Sequence, residues 1–176
     1  MRRTVFLDRD GVINRAVVRD GRPYPPSNLQ GMEILPGVPE AMAALHAAGF
    51  MLIVVTNQPD VARGITPVTV VEEINRYLAN CLPIDEFRTC YHDSGDDCDC
   101  RKPLPGALLA AAKQHGINLG ESYMIGDRWR DVEAGKRAGC RTFFIDYGYA
   151  EKQPESTDYC VRSLDEAAQI ILGEMK

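Results

Sequence analysis

The sequence has little that would tie it to a membrane or to nucleic acid. No apolar run approaches the roughly 18–20 residues that span a bilayer. The first apolar stretch, Val5-Phe6-Leu7, breaks at once into Asp8-Arg9-Asp10, too short for the core of a signal peptide. Positive charge is not in excess: 20 Lys and Arg against 25 Asp and Glu leave a net charge of -5. Such a surface has no general attraction for a phosphate backbone or anionic lipid, so neither nucleic acid nor a membrane is an expected partner. A small anionic substrate stays open, because a local group of Arg and Lys can hold it whatever the net charge. Repeats, low-complexity tracts and long linkers are absent. The 176 residues suit one domain, 1–176, able to bury about 70% of its unfolded surface. The expectation is a cytoplasmic monomer.

What is present is an alternation of short apolar runs with helix-period segments. Thr4–Leu7 and Phe50–Val55 read as buried strands. Phe87–Tyr91, Ser122–Ile125, Arg141–Ile145 and Tyr159–Arg162 read as further strands. Val38–Ala48 places Val38, Met42 and Leu45 on one helical face and stops at Gly49. A helix opening at Thr66-Pro67 would bury Val70, Ile74, Tyr77 and Cys81. Pro105–His115 and Asp131–Ala138 follow as helices, and Ser163 with Glu166 forms a capping box for the last one. Strands alternating with helices imply an α/β fold, a doubly wound, mostly parallel sheet with helices on both faces. Such sheets bind ligands beyond the carboxyl ends of their strands. There the polar residues gather: Asp8 and Asp10, then Thr56 and Asn57, then Asp127.

Asp8-Arg9-Asp10-Gly11 brings two carboxylates close together. At about 4 Å such a pair repels by about 4 kcal/mol at an effective dielectric near 20. A divalent cation or a shared proton would relieve that, although a solvated acidic turn reads equally well from these four residues. Arg101-Lys102 supplies fixed positive charge suited to a phosphoryl group, Thr56 a hydroxyl, and Asp127 a hard oxygen ligand suited to magnesium.

A second cluster lies between them. Cys90-x-His92-x5-Cys98-x-Cys100 offers three thiols and one imidazole within eleven residues, a set suited to a closed, structural zinc site. Free thiols or a disulfide are the alternatives. The intervening Asp93–Asp97 cannot bury an apolar core, so a metal would be what orders it and, with it, the adjoining Arg101-Lys102. Cys81, Cys140 and Cys160 read as small core residues.

Taken in order, Asp8-x-Asp10-Gly11, Thr56, Lys102, and Gly126-Asp127 with Asp131 resemble the four motifs of the haloacid dehalogenase superfamily, over about residues 4–145. The resemblance implies a Rossmann-like core and a magnesium-dependent phosphatase. Asp8 would be the nucleophile and Asp10 the acid and base. Thr56 and Lys102 would hold the transferred group. Mg2+ would be bound by Asp8, the Asp10 carbonyl and Asp127, and Asp131 would support that site or cap its helix. The stretch between Asp8 and Thr56 is too short for a large cap domain; Arg15–Gln30, rich in proline, could form a flap.

The cysteine loop directly before Arg101-Lys102-Pro103 resembles two phosphatase groups within that superfamily, one acting on heptose 1,7-bisphosphate and one on histidinol phosphate. Ala62-Arg63-Gly64 and Lys102-Pro103-x-Pro105-Gly106 look more like the heptose group, implying hydrolysis of the C7 phosphate of a small sugar bisphosphate. Tyr91 and Pro59-Asp60 depart from the pattern. Candidate substrate contacts are Asn14, Asn57, Gln58, Arg63, Arg101 and Arg128: amides for hydroxyls, guanidinium groups for a second phosphate. A reading of another class is a catalytically silent, zinc-stabilised binding module.

Overall fold

A computed structural model of the chain describes residues 1–175. Four-residue β1 (Thr4–Leu7) lies at the middle of a six-stranded sheet. On one side it pairs in parallel with β4 (Met51–Asn57), and β4 with β5 (Glu86–Cys90). On the other side it pairs with β6 (Tyr123–Gly126), followed by β7 (Arg141–Ile145) and β8 (Tyr159–Val161), all parallel. A separate antiparallel hairpin, β2 (Val17–Arg19) with β3 (Arg22–Tyr24), follows β1 in the chain. Asp20 and Gly21, both at positive φ, make its tip, the backbone a tight hairpin turn requires. The proline-rich stretch Arg15–Gln30 is therefore built around a two-stranded flap.

The period-2 alternation of β1 decides the layering. Val5 and Leu7 face one core, with Leu52, Val54 and Ile125 beside them. Against this face pack α1 (Val38–Ala47), α2 (Val68–Cys81) and α5 (Leu164–Gly173) through Met42, Leu45, Ile74, Leu78, Ala167 and Ile171. Phe6, Ile53, Val55 and Met124 face the opposite way, toward Leu108 and Ala111 of α3 (Gly106–His115) and Ala138 of α4 (Trp129–Ala138). Each such fully buried Leu, Ile or Phe contributes about 1.5–3 kcal/mol over leaving it exposed. The doubly wound arrangement expected from the alternation of elements is the one observed, without a large cap.

Boundaries moved by a residue or two, and one face moved. Pro67 caps α2 from outside rather than opening it, and the buried residues are Val71, Ile74, Asn75 and Leu78. Tyr77 is exposed. Cys81 and Cys160 are exposed as well; of the three cysteines expected in the core only Cys140 is buried. Ser163 does cap α5, its Oγ accepting from the Glu166 amide at 3.1 Å. None of the helices among the described residues is long and apolar enough to cross a membrane.

The strand order reverses at β1, with β4 to one side and β6 to the other. The crevice this reversal opens at the carboxyl ends is where such sheets take ligands. Asp8, Thr56 and Asp127 all stand there.

Candidate active site

Asp8 continues β1 by one residue, its amide bonded to the Ile125 carbonyl at 3.0 Å. The chain then coils tightly, the amides of Val12, Ile13 and Asn14 all turning onto the Arg9 carbonyl. Gly11 sits in this turn at φ 89°, where a Cβ would lie 1.9 Å from Asp127 Oδ2. Only glycine both adopts that backbone and leaves room for the Asp127 carboxylate.

Lys102 crosses from the loop after the cysteine cluster and is almost completely buried. Its Nζ donates to Asp8 Oδ1 at 2.8 Å and to the Val55 carbonyl at 2.6 Å, and pairs with Asp131 Oδ1 at 2.7 Å. Burial alone would disfavour its charge, yet Asp131 and Asp8 outweigh that and hold it above the usual lysine range. Asn57 fastens the same residue from the backbone: its Nδ2 donates to the Lys102 carbonyl at 3.0 Å and its Oδ1 accepts from the Lys102 amide at 3.1 Å. Asp131 Oδ2 accepts from the Arg128 amide at 3.0 Å, so this side chain both caps α4 and supports Lys102.

Asp10 is held differently. Arg9, fully buried, donates to Asp10 Oδ1 through Nε at 3.2 Å and Nη2 at 3.1 Å, and through Nη1 to Asn75 Oδ1 at 2.9 Å. Asn14 Nδ2 reaches Asp10 Oδ1 at 3.0 Å and Gln58 Nε2 reaches Oδ2 at 2.8 Å. Gln58 Nε2 also donates to Thr56 Oγ1 at 2.9 Å, leaving the Thr56 proton free for another acceptor.

Three carboxylates, Asp8, Asp127 and Asp131, each place an oxygen within 4.8 Å of the others. Their three negative charges against the one positive charge of Lys102 leave a formal excess that a divalent cation cancels. Asp127 Oδ2 accepts from the Tyr149 hydroxyl at 2.9 Å, whereas its Oδ1 is buried without a partner. An orphaned buried carboxylate oxygen beside a second carboxylate fits a hard cation such as magnesium. Burial raises Asp8 to about 6 against the opposing pull of Lys102, and burial followed by the Asp8 charge raises Asp127 well above its ordinary value.

A pH dependence follows. Asp8 titrates higher folded (about 6) than unfolded (3.8), so the metal-free folded chain holds the extra proton and loses stability as pH rises through that window. Asp127 extends the loss upward. A bound divalent ion replaces these protons. Calorimetry at about pH 5 and about pH 8, either side of the Asp8 titration, should therefore show magnesium raising the melting temperature more at the higher pH. Equal shifts at both would contradict the site.

The cysteine loop closes at the end of β5. Cys90 Sγ lies 3.5 Å from His92 Nδ1, 4.0 Å from Cys98 Sγ and 3.0 Å from Cys100 Sγ, and Cys100 Sγ lies 3.5 Å from His92 Nδ1. Tetrahedral zinc with Zn–S near about 2.3 Å and Zn–N near about 2.0 Å needs ligand separations of roughly 3.5–3.8 Å, a range these distances bracket. All six cysteines are unpaired, so the disulfide alternative is not taken up.

A cavity of about 290 Å³ opens over Asp8 and Asp10, walled by the flap residues Arg22, Pro23, Tyr24 and Pro25 and by the loops bearing Asp60 and Arg101. The six candidate substrate contacts fall into two groups, two buried and four bordering the cavity. Asn14 and Gln58 are buried, their amides directed at Asp10 rather than outward. Asn57 borders the cavity, but its amide is engaged by Lys102. Arg63 borders it too, with Nε and Nη2 on Asp93 at 2.7 Å each and Nη1 on Asp60 at 3.2 Å. Arg128 borders the cavity as well and is paired with Glu151. Arg101 lines the cavity, one nitrogen donating to the His92 carbonyl at 3.1 Å.

Sequence reasoning missed Arg9 and Asn75. Asn75 carried a signal, a polar residue inside the apolar stripe of α2. Arg9, between two acids at the end of an apolar strand, carried one too, since a charge buried there needs a partner.

A parallel sheet whose switch point gathers a buried carboxylate, a buried lysine and a cation-ready aspartate defines a hydrolase of the haloacid dehalogenase type, and the chain belongs to the haloacid dehalogenase-like hydrolase family, whose pattern matches residues 28–139. It is 31% identical to D-glycero-beta-D-manno-heptose-1,7-bisphosphate 7-phosphatase of Pasteurella multocida, covering 98% of both chains. It is 34% identical to the protein of that name from Escherichia coli K12, over 98% of this chain and 95% of the other. Among solved structures it is similar to D,D-heptose 1,7-bisphosphate phosphatase from B. bronchiseptica complexed with magnesium and phosphate. There the TM-score is 0.83 at 30% identity, over 98% of this chain and 99% of that one.

Proposed function

We propose that the chain is a magnesium-dependent phosphatase that removes the C7 phosphate of D-glycero-D-manno-heptose 1,7-bisphosphate. The observation that carries this reading is the Asp8 carboxylate, 2.8 Å from a buried lysine at the floor of an open cavity, beside an unpartnered Asp127 oxygen. The full-length similarity to heptose bisphosphate phosphatases supplies the substrate. Asp8, the Asp10 carbonyl and Asp127 would hold Mg2+, which when bound would neutralise charge on the phosphate and on Asp8.

An Asp8 oxygen forms a bond to phosphorus as the bond from phosphorus to the sugar oxygen breaks, and Asp10 gives its proton to the departing oxygen. Asp10 then takes a proton from water, whose oxygen attacks the same phosphorus, releasing phosphate and restoring Asp8. Lys102 steadies Asp8 and, with the Thr56 hydroxyl, the transferred oxygens. Arg9, Asn14 and Gln58 fix the direction of Asp10, so replacing Gln58 or Asn14 should lower kcat more than it raises KM.

Phosphate release from heptose 1,7-bisphosphate, histidinol phosphate and an aryl phosphate, with and without magnesium, tests this. The bisphosphate should be the preferred substrate and magnesium essential. Preference for histidinol phosphate would overturn the substrate, and no turnover of anything would leave a silent module.

Zinc is proposed for Cys90, His92, Cys98 and Cys100, as a structural ion that shapes the loop carrying Arg101 and Lys102. Metal analysis of natively purified protein should find about one zinc per chain, as a single four-ligand site requires. Its removal should open the loop to proteolysis and lower activity; zinc-free protein of full activity would contradict the assignment. Unpaired cysteines fit a reducing compartment, and a cytoplasmic monomer completes the proposal.

A further inference from the structure

Six basic side chains border the cavity over Asp8, and they differ in what already neutralises them. Lys102 is held by Asp8 and Asp131, Arg63 by Asp93 and Asp60, and Arg128 by Glu151. Arg101 has Asp93 at 4.0 Å, and Arg22 is exposed on the flap, where water satisfies it.

Arg130 is the exception. It is half-buried, and among the described residues no carboxylate pairs with it. Its guanidinium lies over the Trp129 ring, 5.2 Å from the centroid. It occupies the first turn of α4, the end of a helix where a cation is disfavoured. Burial, then the neighbouring Arg128 and Arg101, work against its charge. The face of Trp129 and the more distant charges of Glu151 and Asp131 offset part of this, and no direct ion pair among the described residues offsets the rest, so an anion from outside would stabilise it further.

The shape of the site says what kind of partner. A second cavity of about 250 Å³ lies between the cysteine loop and the start of α4. It shares Ser94, Arg101, Lys102 and Arg130 with the cavity over Asp8, so the two adjoin along these residues. A substrate whose reacting phosphate sits at Asp8 can extend past Arg130 into this space.

We propose that Arg130 is a specificity residue which binds the phosphate of the substrate that is not cleaved, at the junction of the two cavities. This rests on the bisphosphatase reading above. Its planar fork suits bidentate contact with a phosphate, and stacking on Trp129 limits the directions that fork can take.

Arg130→Gln separates the possibilities when assayed on heptose 1,7-bisphosphate and on heptose 7-phosphate, which lacks the second anion. Loss of a charge-assisted pair should lower kcat/KM for the bisphosphate by about 10- to 100-fold, chiefly through KM. The monophosphate should change little, and Arg130→Lys should recover part of the loss. The melting temperature should hold or rise, because repulsion from Arg128 and Arg101 is relieved; a merely structural arginine would lower it. An equal loss on both substrates, or none on the bisphosphate, would overturn the role of Arg130 while leaving the reaction intact. Wild-type protein unable to hydrolyse the bisphosphate would overturn the reading of function beneath it, and the inference with it.

Discussion

Asp8→Asn is expected to lower turnover by about 10⁴-fold or more while leaving the protein folded. An amide does not attack phosphorus, so the loss is of the bond-forming group itself and not of binding. The fold should survive because the amide oxygen can still accept from Lys102, which donates to Asp8 Oδ1 at 2.8 Å. One of the clustered negative charges disappears, so the metal-free variant should melt no lower than the metal-free parent. Parallel measurements of kcat and of melting temperature check both halves. A variant of near-normal activity would remove Asp8 from the chemistry, and one inactive only because it unfolds would make its role structural.

Lys102→Met should damage both stability and activity. The lysine pairs with both Asp8 and Asp131, and its ammonium also satisfies the Val55 carbonyl. Deleting one partner of a buried ionic cluster costs about 3–5 kcal/mol, because the remaining charges stay buried without compensation. Methionine fills much of the space, so the loss reports charge and hydrogen bonding more than packing. Adding Asp131→Asn to Lys102→Met should restore part of the stability and none of the turnover. Denaturant unfolding of both singles and the double gives the coupling. Strictly additive losses would mean that the ion pair at 2.7 Å contributes nothing in solution.

The readable parts of the fold had one physical cause. β1, β4 and β6 are short apolar runs that stop abruptly at Asp8, at Thr56-Asn57 and at Asp127. A strand buried on both faces stops where water or a ligand begins. The cysteine loop was readable because its ligands are close in sequence. Side-chain direction was not readable. Arg128 looked like a free cation because its carboxylate, Glu151, lies 23 residues away along the chain, and Arg63 shares its charge between Asp60 close by and Asp93 30 residues away. Asn14 and Gln58 looked like sugar contacts because an amide suits a hydroxyl and a carboxylate equally, and only the fold, which sets the end of β4 beside the turn after β1, directs both at Asp10. The face of α2 slipped because Tyr77 and Leu78 are adjacent and both apolar enough to continue the stripe; contact with the sheet selects Leu78.

The flap and the segment after β7 were also beyond local patterning. Tyr149 reaches Asp127 and Tyr147 reaches the Gly11 carbonyl, while the Ala150 amide bonds the hairpin tip at Gly21. A single stretch thus buttresses the acidic cluster and the flap, through contacts that no spacing rule anticipates.

The most direct test is chemical trapping of the acyl phosphate. Protein quenched during turnover of the bisphosphate and reduced with borohydride should carry homoserine in place of Asp8, because hydride reduces an aspartyl-phosphate and spares a free carboxylate. Homoserine at another aspartate, or unmodified Asp8 under conditions of rapid turnover, would contradict the account.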